Sequence, residues 1–230
     1  MNKLNYSSKF IVFGGLSLIA LLTVSIYLIM YLSGAISTAN QQLQGLKQTQ
    51  NTSKLIHSLQ QYRGLSSVVI SGVDGSDEQQ VLISNKVEEY FIKVDKTLSS
   101  KLKEITDWSS IIEQWNYLKS TSITLQTGDN FNLHSQLIRK LNSLQLKIAD
   151  HFHLLLIDDL DSHYLVDSIL VPLPITLELL GQARGVGAAN LIDRKVKSLE
   201  NIATLLSNAS VPLGVFKNNI QMIKGGGDFK

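Results

Sequence analysis

An uninterrupted apolar run near the start of the chain limits what it can become. Residues 10–36, "FIVFGGLSLIALLTVSIYLIMYLSGAI", carry no charge. About 20 apolar residues in helical form cross the hydrocarbon core of a bilayer, so this run can span it with some tilt. Lys3 and Lys9 precede the run, and the next charge is Lys47. Lysine and arginine collect on the cytoplasmic side of a span. The expected layout is a cytoplasmic N-terminus over residues 1–9, a transmembrane helix over 10–36, and the remainder outside the cytoplasm. The alternative is a cleaved signal sequence, with "STA" at 37–39 as the cleavage site. Apolar cores of that kind are about 7–15 residues long, which favours an uncleaved anchor.

Beyond Ile36 the apolar residues recur at helical spacing and convincing strand alternation is absent. From Asn40 to Ile70 the repeat is carried by Leu43, Leu46, Leu55, Ile56, Leu59 and Ile70. "SGVDGSD" at 71–77 is a turn, with Asp77 a candidate cap and Gln80 its capping-box partner. Leu82, Tyr90, Phe91, Val94, Leu98 and Leu102 mark the next helix. Asp107 is a candidate cap for a helix whose core face is Trp108, Ile111, Ile112, Trp115 and Leu118. "TGDN" at 127–130 is expected to break it. The next helix runs from about Asn132 to Leu156, with Leu137, Leu141, Leu144 and Ile148 inward. Asp161 is a candidate cap for a further helix, which Pro172 and Pro174 should kink or restart. Asp193 is a candidate cap for "RKVKSLENIATLLSN", and Pro212 should kink or interrupt the segment after it. These segments predict an all-α, up-and-down helical bundle over 37–224, continuing from the transmembrane helix. Residues 225–230 read as a tail and a candidate truncation point.

A second apolar region, "VDSILVPLPITLELLG" at 166–181, contains Asp167, Glu178 and two prolines. It reads as a buried core helix rather than a second span.

Two stretches place an arginine within an apolar stripe. In "LQQYRGLSS" (59–67), Arg63 shares a helical face with Ile56, Leu59 and Ile70. In "LGQARGVGA" (180–188), Arg184 shares one with Leu177, Leu180 and Leu191. Each arginine is followed by small residues one, three and four positions later, which would leave room beside the guanidinium. A buried cation needs an anionic or strongly accepting partner. One reading pairs each arginine with a protein carboxylate, the candidates being Asp158, Asp159, Asp161, Asp167 and Glu178. The other has Arg63 and Arg184 converge on a small anion, for which the planar guanidinium fork is suited.

"LIHSLQQYRGLSS" followed at a distance by "LLGQARGVGAANL" resembles the nitrate- and nitrite-sensing domain family. "DLDSHYLVDSILVPLPITLELLGQARGVGA" is similar to extracytoplasmic helical regions of bacterial chemoreceptors, histidine kinases and diguanylate cyclases. The resemblance covers roughly residues 50–200. It implies an all-helical sensory module in the bacterial cytoplasmic membrane, with Arg63 and Arg184 as ligand-binding residues on different helices. It also implies a role in chemotaxis or two-component signalling. The expected partners are a small nitrate-like or carboxylate anion and the membrane, and the expected assembly is a homodimer.

Other chemistry has little support in the residues. The chain has no cysteine, which removes disulfides and thiolate metal sites. His151 and His153 point apart on a helix and lack a third ligand, so no metal is expected. His57 and His134 read as surface residues. A net charge of +2 without a polybasic run gives no reason to expect nucleic acid. Motifs for phosphate binding or hydrolysis are absent, so neither a cofactor nor an enzyme is expected. The rival readings are a single-pass structural or adaptor bundle without a small-molecule ligand, and a tethered hydrolase using the aspartates at 158–161.

Overall fold

The computed structural model describes residues 5–72, 75–157, 159–193 and 199–225. These residues form helices and turns, with no strand among them. In chain order the helices are α1 (Tyr6–Ile70), α2 (Ser76–Thr97), α3 (Ser100–Ile105), α4 (Trp108–Thr121), α5 (Thr127–His151), α6 (Leu160–Leu170), α7 (Pro172–Asp193) and α8 (Leu199–Gly225). The all-α expectation therefore holds. The chain divides into two compact units, residues 1–43 and 44–230.

The first unit contains the apolar run. Its large side chains stand exposed, Phe10 at 79 % for example. A helix apolar around its whole circumference suits a lipid surround rather than water. Among the described residues, two helical stretches are long and apolar enough to cross a membrane, one in α1 and one over Leu160–Ala188. The second is interrupted where α6 stops at Leu170 and α7 restarts with Pro172. Proline fits the first turn of a helix, where no intrahelical partner for its missing N–H is needed.

The second unit is built on four antiparallel helices, and cross-helix hydrogen bonds give their directions. Along α1 and α2, Gln48 bonds the Thr97 carbonyl and Ser66 accepts from Gln80, so the two helices run oppositely. Trp115 and Trp108 on α4 donate to Glu88 and Asp95 on α2, both at 2.8 Å. Gln114 and Lys140 join α4 to α5, again in opposite sense. Ser135 and Gln145 on α5 meet Arg63 and Ser53 on α1, which closes the ring of four. Leu55, Leu59, Val87, Val94, Ile111, Trp115, Leu137, Leu141, Leu144 and Ile148 fill the core between them. Trp115 lies at its centre. It stacks on Phe91 at 5.8 Å between ring centroids and meets Tyr62 edge-on at 5.1 Å.

Several boundaries differ from the sequence reading. "TGDN" at 127–130 opens α5 instead of breaking a helix, and the break falls at 122–126. Asp129 then sits in the first turn, where a carboxylate complements the helix dipole. α5 ends at His151 rather than Leu156. Gly75, not Asp77, precedes α2, because its φ of 75° is a left-handed conformation that glycine adopts without strain. Asp159 rather than Asp161 caps α6, accepting from the Ser162 N–H at 2.9 Å. Asp107 does precede α4, yet its side chain accepts from Ser109 Oγ instead of a backbone N–H. Pro212 lies inside α8 without ending it. Asp193 closes α7, while the helix expected from 194 begins outside the described residues. Leu43, Leu46 and Leu82 are exposed, so the apolar periodicity in those segments overstates the core.

Gly45 marks the tightest approach. A Cβ there would lie 2.5 Å from Phe152 Cβ, so only glycine lets that residue pack where it does.

Trp115→Ala would empty the centre of this core. The expected cost is about 3–5 kcal/mol of unfolding free energy, measurable by denaturant titration followed by circular dichroism. Leu82→Ala, on the exposed face of α2, should change stability by less than about 0.5 kcal/mol.

Candidate functional site

Arg63 is 3 % exposed, although it sits in an ordinary stretch of α1. Burial follows from the helical repeat: Ile56, Leu59 and Arg63 lie on the inward face of α1, where Arg63 meets α5 and α7. Its guanidinium is held on several sides. Nη1 donates to Glu178 Oε1 at 2.5 Å and to Ser135 Oγ at 2.8 Å. Nη2 reaches Glu178 Oε2 at 3.3 Å. The Phe131 ring lies below, 4.9 Å from the guanidinium carbon, in cation–π geometry.

Glu178 on α7 is buried as well, and both its oxygens have further donors. Gln60 Nε2 donates to Oε2 at 2.9 Å and Gln182 Nε2 to Oε1 at 2.7 Å. The carboxylate is thus surrounded by one cation and two amides, which offsets much of its desolvation. The space for this arrangement comes from α7. A Cβ on Gly181 would stand 3.3 Å from Arg63 Nη2, and one on Gly185 would strike the Phe131 ring at 2.7 Å. Gly64, the small residue that follows Arg63 in its own helix, does not supply that room, since it faces open space.

Arg184 is placed differently. It is exposed, with no hydrogen bond or ion pair among the described residues. Its stripe companions Leu177 and Leu180 are 52 % and 41 % exposed. Thr176, Glu178 and Ala183 are its buried residues instead, and the side turned to Arg63 carries Glu178, Gly181 and Gly185. Because α7 is apolar around most of its circumference, the leucine stripe does not mark the buried side. The same reason limits the reading of 166–181 as a core helix: Ile169 and Ile175 are also exposed. Of the candidate acids, Glu178 meets Arg63, and Asp167 accepts from Asn219 Nδ2 on α8 at 2.7 Å. Asp158 lies outside the described residues.

His134 departs from its expected surface position and is buried against Tyr62, with ring centroids 5.5 Å apart. Its Nδ1 bonds the Asn130 carbonyl at 2.8 Å. Burial pulls its pKa down to about 4, with the nearby Arg63 charge acting in the same direction and the carbonyl bond opposing it. The sequence signal was available: His134 lies three residues before Leu137 and seven before Leu141, on the inward stripe of α5. Among the described residues, no three His, Asp or Glu side chains gather as metal ligands.

No protein-family model, curated protein or solved structure matches this chain.

This geometry sets two expected outcomes. Glu178→Ala leaves a buried guanidinium unpaired and should destabilise the fold by about 3–5 kcal/mol, whereas Arg63→Met with Glu178→Leu should cost far less. Denaturant unfolding of the single and double variants measures the difference. His134 is neutral when folded down to about pH 4 but titrates near 6.5 when unfolded. Its contribution is complete above pH 6.5 and is lost as pH falls toward 4, by about 3 kcal/mol in all. His134→Phe should flatten that part of the stability–pH curve.

Proposed function

We propose that this chain is the membrane-anchored sensory region of a bacterial receptor, with an extracytoplasmic bundle that binds a small anion at Arg63. The observation that carries the reading is that Arg63 belongs to the same helix, α1, as the apolar run. An event at its guanidinium therefore acts on the element that enters the membrane. Glu178 already presents two carboxylate oxygens to Arg63. A nitrate-like or carboxylate anion offers the same acceptor geometry and competes for the same donors. The exchange detaches α7 from α1 and shifts helix packing, in the way small helix displacements switch other receptors. The ligand drives this only by binding the detached state more tightly than the attached one. Arg184 lies six residues beyond Glu178, about 9 Å along α7. There its exposed charge attracts the anion toward the site.

A second reading is favoured by exposed apolar side chains on α8, among them Leu206, Val211 and Met222. In that reading the bundle is an adaptor that holds a partner protein through α8 and binds no small molecule.

Calorimetry on the full chain in lipid nanodiscs, with nitrate, nitrite and small carboxylates, tests the proposal. At least one anion should bind. The Arg63→Met, Glu178→Leu variant should lose that binding while keeping its helical content, and Arg184→Ala should weaken it in a salt-dependent manner. Absence of binding by every anion, or binding that survives the double substitution, overturns the anion site. Reporter fusions after Lys47 should behave as extracytoplasmic, and a cytoplasmic signal there would overturn the receptor topology.

A further inference from the structure

The interior of the four-helix bundle holds a second set of polar side chains, on a different stripe of α5 from the Phe131 and Ser135 that meet Arg63. Asn130 and His134 are one turn apart, in line with the core residues Leu137, Leu141 and Leu144, so they point to the bundle centre. Asn130 is 0 % exposed and His134 1 %. Asn130 Nδ2, Asn130 Oδ1 and His134 Nε2 have no hydrogen-bond partner among the described residues. Two glutamines differ in kind: Gln48 and Gln145 each leave an oxygen unpartnered but bond through their nitrogen. Asn130 leaves its whole side-chain amide unused. Buried polar groups in folded proteins almost always find a partner, so an unused amide one helical turn from an unused imidazole nitrogen points to a ligand.

The donor pattern defines that ligand. His134 Nδ1 faces a carbonyl, which can only accept, so Nδ1 carries the proton and Nε2 is an acceptor. Asn130 adds one further acceptor and one donor group. Tyr62 walls the site, its hydroxyl occupied with Ser122 Oγ at 3.2 Å. The neighbouring cation, Arg63, is already neutralised by Glu178. Bundle cores commonly build ligand sites from facing helices in this way.

We propose that Asn130 and His134 form a site for a small uncharged ligand of the primary-amide class, distinct from the anion site at Arg63. An amide –NH₂ supplies donors for Asn130 Oδ1 and His134 Nε2, and its carbonyl accepts from Asn130 Nδ2. An oxyanion has acceptors only and leaves Nε2 and Oδ1 unpartnered. The α4–α5 turn at 122–126 lies one helical turn from Asn130.

The probes are propionamide and its donorless analogue N,N-dimethylpropionamide, titrated by saturation-transfer NMR against the full chain in nanodiscs. Propionamide should bind saturably, and the dimethyl analogue about tenfold or more weakly, as the loss of one or two hydrogen bonds implies. Saturating nitrate should not compete. Asn130→Leu and His134→Phe should each weaken propionamide by about tenfold while circular dichroism stays unchanged. Where either variant fails to fold, the discrimination between the two amides by the unaltered protein decides. The proposal is overturned if propionamide does not bind, if both amides bind equally, or if binding survives both substitutions. It is also overturned if a crystal soaked in propionamide shows only water at Asn130 and His134.

Discussion

A guanidinium cannot shed its charge to escape a dry environment, and that fact organises the domain around Arg63. Glutamate can take up a proton when buried, and histidine can lose one. Arginine keeps its proton at any working pH. Once the apolar repeat of α1 turns Arg63 inward, a carboxylate must follow it in. Glu178 does, and it draws Gln60 and Gln182 with it. The ion pair and its amides fix where Glu178 meets α1, while α7 also packs along α8 and α6. The glycines at 181 and 185 give that meeting room, since a methyl group would press on the Arg63 guanidinium at the first and overlap the Phe131 ring at the second.

The bundle beneath α7 obeys a different logic. Its two indoles are buried in the apolar centre, with each N–H turned outward onto a carboxylate of α2. Lys119 and Lys103 approach the same carboxylates from the solvent side, at 2.7 Å each. Large aromatic area is thereby removed from water without stranding a polar hydrogen. The contrast with Asn130 and His134 is chemical. The same core that provides a partner for each indole leaves an entire amide and an imidazole nitrogen unused.

Much of this is legible in the chain. The charge-free run, the helical periodicity and the inward faces of α4 and α5 come from spacing alone, because those helices are polar on one side. Arg63 stands out for the same reason, and Glu178 is among its candidate partners by sequence. The features that stay hidden have physical causes. α7 is apolar nearly all round, so spacing cannot tell the face of Leu177 and Arg184 from the face of Glu178, Gly181 and Gly185. Turn residues mislead at 127–130, because Thr, Gly and Asp are as much at home in the first turn of a helix as in a loop. His134 looks like a surface residue by type. Its burial is visible only when its position is counted along the α5 stripe, and no single-residue preference conveys that.

The spacing of the indoles has a mechanical consequence. Glu88 and Asp95 stand seven residues apart on α2, as do Trp108 and Trp115 on α4, so the two bonds act as rungs of a ladder. Sliding one helix past the other breaks both rungs together, and no intermediate offset restores either. Two bonds at matched spacing therefore oppose a slide of α2 along α4. α7 is fastened to α1 at one ionic point. Within the second unit, α2 and α4 are thus held in register at two separated points, whereas the side-chain bonds from α7 to α1 all converge on the single carboxylate of Glu178.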